Sequence, residues 1–299
     1  MNKFFHTIII IIAILVAIAP STRAGNGMAF LKIGAGSRAV GMGEAFTAVS
    51  NDASATFWNP AGLAALTDGQ VMFTNNRWIQ DITNNFATVG FHIGNTAVGL
   101  SYIGTNIGGI EARNYASENP LTEIDAQNVM VGLSLARQIS PILQVGATIK
   151  YLYEKIYLNT ASGVALDLGT IYQTPIAGLS VGATIQNLGA MSKFKNESTK
   201  LPLTMRTGVA YSRSSTSWMG WTISADAVQI FDEAFHLHTG VEWFMKQFAL
   251  RVGYLSGYDA RNIQGGFGLQ FSRYQLDYAY APFNSDLGDS HRIGIGIQF

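Results

Sequence analysis

The sequence predicts an all-β protein: a transmembrane antiparallel β-barrel of about fourteen strands, with a small N-terminal helical plug in the lumen. Three observations carry this. From Gln70 to Phe299, apolar residues recur with period 2, the spacing of strands. Charged residues make up 13% of the 299 residues, where a soluble domain carries about 25%. The stretch from Gly34 to Leu66 breaks the alternation; it is rich in Gly and Ala and holds an Asn59-Pro60-Ala61-Gly62 turn.

The chain opens like a secretory signal. Lys3 and His6 form a short, weakly basic start, Ile8 to Ala19 is an apolar run of 12 residues, and Pro20 to Ala24 offers small-residue cleavage points. A helical span needs about 20 apolar residues, so the run reads as a cleaved signal and not as an anchor. The division that follows is a signal over 1–24, a plug segment over 25–68 and a barrel over 69–299. Formal charge is zero, with 19 Lys+Arg against 19 Asp+Glu, which leaves no electrostatic case for a nucleic-acid partner. The absence of Cys excludes disulfides and thiol chemistry.

Alternation places strands at 69–79, 83–94, 96–107, 125–139, 142–157, 161–174, 178–190, 201–214, 217–230, 234–245, 247–257, 261–272, 273–283 and 288–299. An even count suits a bacterial barrel. Connections after even-numbered strands are short, as at Gly94-Asn95 and Lys246-Gln247. The longer ones, Gly108 to Ile124, Met191 to Lys200 and Asn284 to Leu287, follow odd-numbered strands. Outer-membrane barrels show that asymmetry, with short periplasmic turns, so the expected location is the bacterial outer membrane with both termini periplasmic.

Each strand has two faces. One is apolar and aromatic, as in Ile149, Tyr151, Val164, Trp221, Ile223, Val241 and Tyr254. The other carries Lys150, Glu154, Asp167, Arg206, Asp226, His236, His238, Glu242, Arg251, Asp277 and Arg292. A soluble sandwich would bury the first row; a membrane barrel turns it to lipid and the polar row to the lumen. The signal, the sparse charge and the C-terminal Phe299 on an amphipathic strand favour the barrel. That terminal aromatic resembles the signal read by the barrel assembly machinery, an expected partner together with outer-membrane lipid. In lipid an open sheet edge would strand its N–H and C=O groups, so the strands must close. Fourteen strands enclose more space than side chains fill, since about eight suffice for a filled interior. Residues 25–68 are the candidate filling.

The run SRAVGMGEAFTAVSNDASATFWNPAGLAAL resembles the N-terminal signature of the PorV/PorQ family of outer-membrane proteins, which is similar in turn to the long-chain fatty-acid transporters. Its plug motif comprises Arg38, Gly41, Gly43, Asp52, Trp58, Asn59, Pro60 and Gly62. The resemblance implies a plugged fourteen-strand barrel. It implies first an association with type IX protein secretion or cell-surface assembly and, as the alternative, a channel for uptake or export of a hydrophobic ligand, with Phe30, Phe46, Phe57, Trp58 and Leu63 as candidates to line a greasy pocket. The residues themselves agree with a plug. Gly41 and Gly43 permit close approach or positive φ, Asp52 is placed to cap a short helix, and Asn59 to cap the next with Pro60 at its first position.

No catalytic constellation appears. His236, His238 and Glu242 share one row of a strand, yet no further His completes a ligand set, so lumen packing is the reading and no metal or cofactor is expected. A Gly-x-Ser-x-Gly run occurs at Gly178-Leu179-Ser180-Val181-Gly182, but it opens a strand and is not followed by a helix, so it is not a nucleophile elbow. The lumen charges are nearly balanced, which predicts ion pairs across the lumen and onto the plug through Arg38, Glu44 or Asp52.

Overall fold

The computed structural model describes residues 27–80, 82–112, 122–194, 197–216, 218–284 and 287–299. The proposed signal peptide lies outside them. Fourteen strands close into one antiparallel barrel. They are β1 Gln70–Arg77, β2 Thr83–Ile93, β3 Thr96–Ala112, β4 Thr122–Ser140, β5 Leu143–Ile156, β6 Asn159–Gln173, β7 Leu179–Met191, β8 Thr204–Thr216, β9 Met219–Ile230, β10 Phe235–Met245, β11 Phe248–Ser256, β12 Ile263–Phe271, β13 Tyr274–Pro282 and β14 Asp289–Gln298. Every strand read from alternation is present. Between β7 and β8 there is also a small hairpin, Lys193–Phe194 paired with Glu197–Ser198, too short to leave a period-2 signal.

The seam is β1 against β14, from Gln70 opposite Gln298 to Arg77 opposite His291. Gly69 and Phe299 exchange backbone hydrogen bonds just beyond it, at 3.0 and 2.8 Å. With this closure no strand edge is left open, the condition that lipid imposes.

The faces sort as a membrane barrel requires. Ile149, Tyr151, Val164, Ile223, Val241, Val252, Tyr254 and Ile293 are exposed on the outside, while Lys150, Asp167, Asp226, Glu242, Arg251, Asp277 and Arg292 are buried inside. No helix among the described residues is long and apolar enough to cross a membrane. One irregularity marks the wall. The β6–β7 register shifts between Leu166 and Leu168, and Asn187 there adopts a left-handed φ of 62°. Such bulges bend a strand and re-aim its side chains.

The plug contains two short helices, α1 Ser37–Gly41 and α2 Ala55–Trp58, and 3-10 turns at Ala29–Lys32 and Pro60–Ala65. Its described start lies at the rim of the longer connections. Gly27 packs against Thr199 and Lys200, and Lys32 pairs with Glu233 at 2.8 Å. Its end lies at the short-turn rim, where Gly69 meets Phe299. The sequence places both termini on the short-turn side. Phe299 lies at that rim, the first described residues lie at the other, and the plug runs through the lumen between them.

Candidate functional site: a plug seated on the barrel wall

Trp58 is the hub of the plug. It is 1% exposed. Its indole N–H donates to the Ala35 carbonyl at 2.8 Å, and its ring meets Phe46 and Phe57 edge-on at 6.3 and 5.1 Å. The Arg206 guanidinium of the wall lies 4.9 Å from the ring centroid, a desolvated cation–π contact. The next residue fixes the turn. Asn59 Oδ1 accepts from Ala61 N at 3.2 Å, capping the 3-10 turn with Pro60 at its first position. Asn59 Nδ2 donates to the carbonyls of Thr47 in the plug and Thr170 in the wall, at 2.8 and 3.1 Å. Asp52 departs from the expected helix cap: Oδ1 accepts from Ser54 N at 2.9 Å and from Ser54 Oγ, a local turn, while Oδ2 takes Arg38.

The seat is made of glycine. Four pairs of directly opposed wall glycines receive the plug: Gly90 with Gly99, Gly146 with Gly169, Gly182 with Gly208, and Gly240 with Gly253. A Cβ on Gly146 would lie 2.5 Å from Ala61 N. One on Gly182 would lie 2.8 Å from the Thr47 carbonyl carbon, and one on Gly99 2.6 Å from Thr56 Cγ2. Gly41 and Gly43 reciprocate: Gly43 has φ +62°, and a Cβ there would be 2.6 Å from the Thr239 carbonyl oxygen. In chain order, α1 packs on β12 to β14, residues 42–43 on β10–β11, 47–48 on β7–β8, 59–61 on β5–β6, and Leu63 and Leu66 on β2–β3. The plug makes a circuit of the inner wall around Trp58.

Ion pairs tie that circuit down. Arg38 bonds Glu242 through Nε and Nη2, at 2.9 and 2.8 Å, and Asp52 through Nη1 at 2.9 Å. Arg251 joins Glu242 to Asp277 at 2.7 and 2.5 Å. Asp226 Oδ2 accepts from Phe46 N, Thr47 N and Thr47 Oγ1 at 3.0, 2.9 and 2.6 Å, with Arg206 3.8 Å away. Lys150 pairs with Asp167 at 2.5 Å and reaches Asn187 Oδ1 at 3.0 Å, while Asp167 accepts from Asn187 N, which holds the β6–β7 bulge. These carboxylates stay in the lumen because each meets a cation and several donors; removing one partner of such a pair costs about 3–5 kcal/mol.

The predicted residues thus fall into separate clusters. Arg38, Asp52, Glu242, Arg251 and Asp277 form one, Arg206 and Asp226 a second, and Lys150 and Asp167 a third. Glu154 makes no ion pair among the described residues. His236 stacks on Tyr258 at 3.9 Å, and His238 reaches Tyr258 Oη at 3.0 Å and Arg206 Nη2 at 3.4 Å. Glu242 is engaged by two arginines, so the His–His–Glu row converges on no common point. Sequence reasoning missed Arg261 and Tyr258, which lie in the β11–β12 connection. Arg261 bonds Glu44 at 2.5 Å and lies over the Tyr258 ring at 4.8 Å. Burial disfavours the Arg261 charge, but Glu44 and Tyr258 outweigh it and raise its pKa. Burial pushes the Tyr258 hydroxyl up to about 12, against the opposing pull of Arg261. A lone Arg after a Gly-Tyr-Asp turn gave no periodic signal to flag it.

Two spaces adjoin the plug. A polar vestibule of about 530 Å³ opens at the short-turn rim, bordered by Arg38, Asp52, Glu242, Arg251, Gln275 and Gln298. An apolar groove of about 360 Å³ lies in the wall, lined by residues 168–170 of β6, 183–185 of β7 and 205–207 of β8. The expected greasy pocket inside the plug is filled instead: Phe30, Phe46, Phe57 and Trp58 are buried in one cluster with the wall, and Leu63 in a second with Leu66, Ala97 and Ala136.

A model of the Uncharacterised protein family UPF0164 matches residues 19–120, about a third of the chain. No curated protein sequence matches. Solved structures share the fold. The Ralstonia pickettii toluene transporter TbuX is 13% identical with a TM-score of 0.63, the comparison covering 89% of this chain and 98% of that one. The Pseudomonas putida toluene transporter TodX is 12% identical with a TM-score of 0.62, covering 89% and 99%. A Pseudomonas aeruginosa FadL homologue is 12% identical with a TM-score of 0.53, covering 87% and 97%. At these identities the likeness is one of fold, and it is the fold expected from the fatty-acid-transporter side of the resemblance. This chain has the closed, plugged, fourteen-strand architecture of the FadL-type barrels.

Proposed function

We propose that the protein is an outer-membrane barrel that passes small hydrophobic compounds, and that its apolar groove is where they meet the wall. The groove carries this reading. It opens on the lipid-facing surface through Leu168, Thr170, Ala183, Ile185, Met205 and Thr207. Behind it stand Gly169, with the Asn59-Pro60 turn of the plug directly against it, and the inward side chains of Thr184 and Arg206; the Gly182–Gly208 pair, with Thr47 against it, lies at the edge of the groove. The wall is therefore thin at Gly169 and at the adjoining Gly182–Gly208 pair, and the bulge at Asn187 already disturbs the ladder beside it. An apolar compound partitions readily into such a groove. A plug packed on glycine along its whole circuit leaves no open bore, which suits a selective route better than a diffusion pore.

The test is uptake of a labelled monoaromatic hydrocarbon by cells producing the protein, against cells lacking it. Ala183→Trp fills the groove from the lipid side without touching the plug. The expected result is faster uptake with the wild-type chain and loss of the gain with the variant. Uptake equal in all three strains sinks the reading. Localisation is proposed on the same basis, and Phe299, exposed at the end of β14, is the feature offered to the assembly machinery.

A further inference from the structure

Among the described residues, six cations lie between plug and wall, five of them buried and Arg38 largely so: Arg38, Lys150, Arg206, Arg251, Arg261 and Arg292. The first five each have a carboxylate within 4.0 Å. Arg292, 1% exposed, has none among the described residues. Its Nη1 donates to the Gly34 carbonyl, and its guanidinium lies 5.1 Å from the Trp78 ring centroid. Nε and Nη2 have no partner. Those two atoms form one edge of the guanidinium fork, the edge that takes an anion with two parallel N–H bonds.

The surroundings repeat the deficit. Asn76, opposite Arg292 on β1, accepts from Ser290 through Oδ1 at 2.8 Å and has its Nδ2 donor free. Gln264 on β12 is fully buried with both amide atoms unpartnered. Ala279 of β13 stands opposite Arg292 and Ala281 opposite Ser290, and the next inward residue of that strand, Asp277, is already bonded by Arg251 and Gln275. Buried donors of this kind are rarely left bare, and an unpaired buried charge is costlier still. Glu44, whose carboxylate lies beside Gly34, is bonded by Arg261, so the unpartnered donors on this edge of the guanidinium still call for negative charge more than for apolar filling.

We infer that the Arg292 Nε–Nη2 edge, with Asn76 and Gln264, holds a small monoanion of chloride or formate size, which neutralises the sixth cation and fastens α1 and Gly34 to β12–β14. The inference stands apart from hydrocarbon passage and survives or fails without it.

The experiment uses the full mature chain in detergent, crystallised from sodium bromide and melted in sodium chloride or sodium gluconate. Expected are an anomalous bromide peak within hydrogen-bonding reach of Arg292 Nε and Nη2, and a melting midpoint higher in chloride than in gluconate. Gln264→Leu, which keeps the guanidinium, should weaken the chloride dependence several-fold, and Arg292→Met should abolish it. If Arg292→Met does not fold, the bromide map and Gln264→Leu decide alone. Density for water only, a protein carboxylate on that edge, or midpoints indifferent to the anion would each overturn the inference.

Discussion

Gly43 of the plug and Gly253 of β11 meet backbone to backbone, with a Cβ on Gly43 only 2.9 Å from Gly253 Cα. Neither residue tolerates a side chain, and Gly43 also needs its positive φ. The Gly253→Val variant should therefore keep the strands but lift the plug from its seat. Overpacking of this kind costs about 1–3 kcal/mol. In planar bilayers the wild-type protein should be closed and the variant should conduct. A variant as tight as wild type would show that the belt does not seal the lumen.

Trp58→Ala removes the hub. Truncating a buried Trp typically costs about 3–5 kcal/mol, and here the Arg206 ring contact and the bond to Ala35 go with it. Urea unfolding in detergent should show the midpoint falling sharply. A drop no larger than that of a surface substitution would contradict the packing described.

Asp226→Ala tests the wall-to-plug anchor. Three donors of Phe46 and Thr47, together with Arg206, lose their acceptor. A loss of about 3–5 kcal/mol is expected, because Arg206 is left buried and unpaired. The double change Asp226→Leu with Arg206→Met should recover part of it, since no orphan charge remains. Recovery absent from the thermal midpoints would place the cost in the backbone donors instead.

The barrel's orientation can be read with single cysteines, because the chain contains none. Leu158, 79% exposed in the β5–β6 turn, marks the rim of the longer connections; Lys246, in the β10–β11 turn, marks the other. A membrane-impermeant maleimide applied to intact cells should label Leu158→Cys and spare Lys246→Cys. The reverse pattern would invert the proposed topology.

The strands were legible because a wall that is apolar on its outer face and carries small and polar residues toward the plug imposes period 2 at every step. Ile293, Ile295 and Ile297 against Arg292, Gly294 and Gly296 carry that message locally. The seat was not legible. Gly146 and Gly169, or Gly240 and Gly253, read as fillers in the polar row, and only pairing across strands reveals that they stand opposite each other. Arg261 was invisible for the converse reason: its role depends on a connection folding back over Glu44, more than two hundred residues away. The Arg38, Asp52 and Glu242 cluster was partly foreseeable, since lumen charges so nearly balanced must find partners on whatever fills the lumen.

The circuit of the plug constrains the order of assembly. A segment that enters at one rim, touches the wall almost all the way round and leaves at the other cannot be slid into a finished ring whose bore it fills to backbone contact. β1 follows the plug directly, and its partner β14 is the last strand to be made. The wall must therefore curl around the N-terminal segment while β1 and β14 are still apart. The Gly69–Phe299 clasp is then the final stitch, and the plug serves as the mandrel on which the barrel is wound.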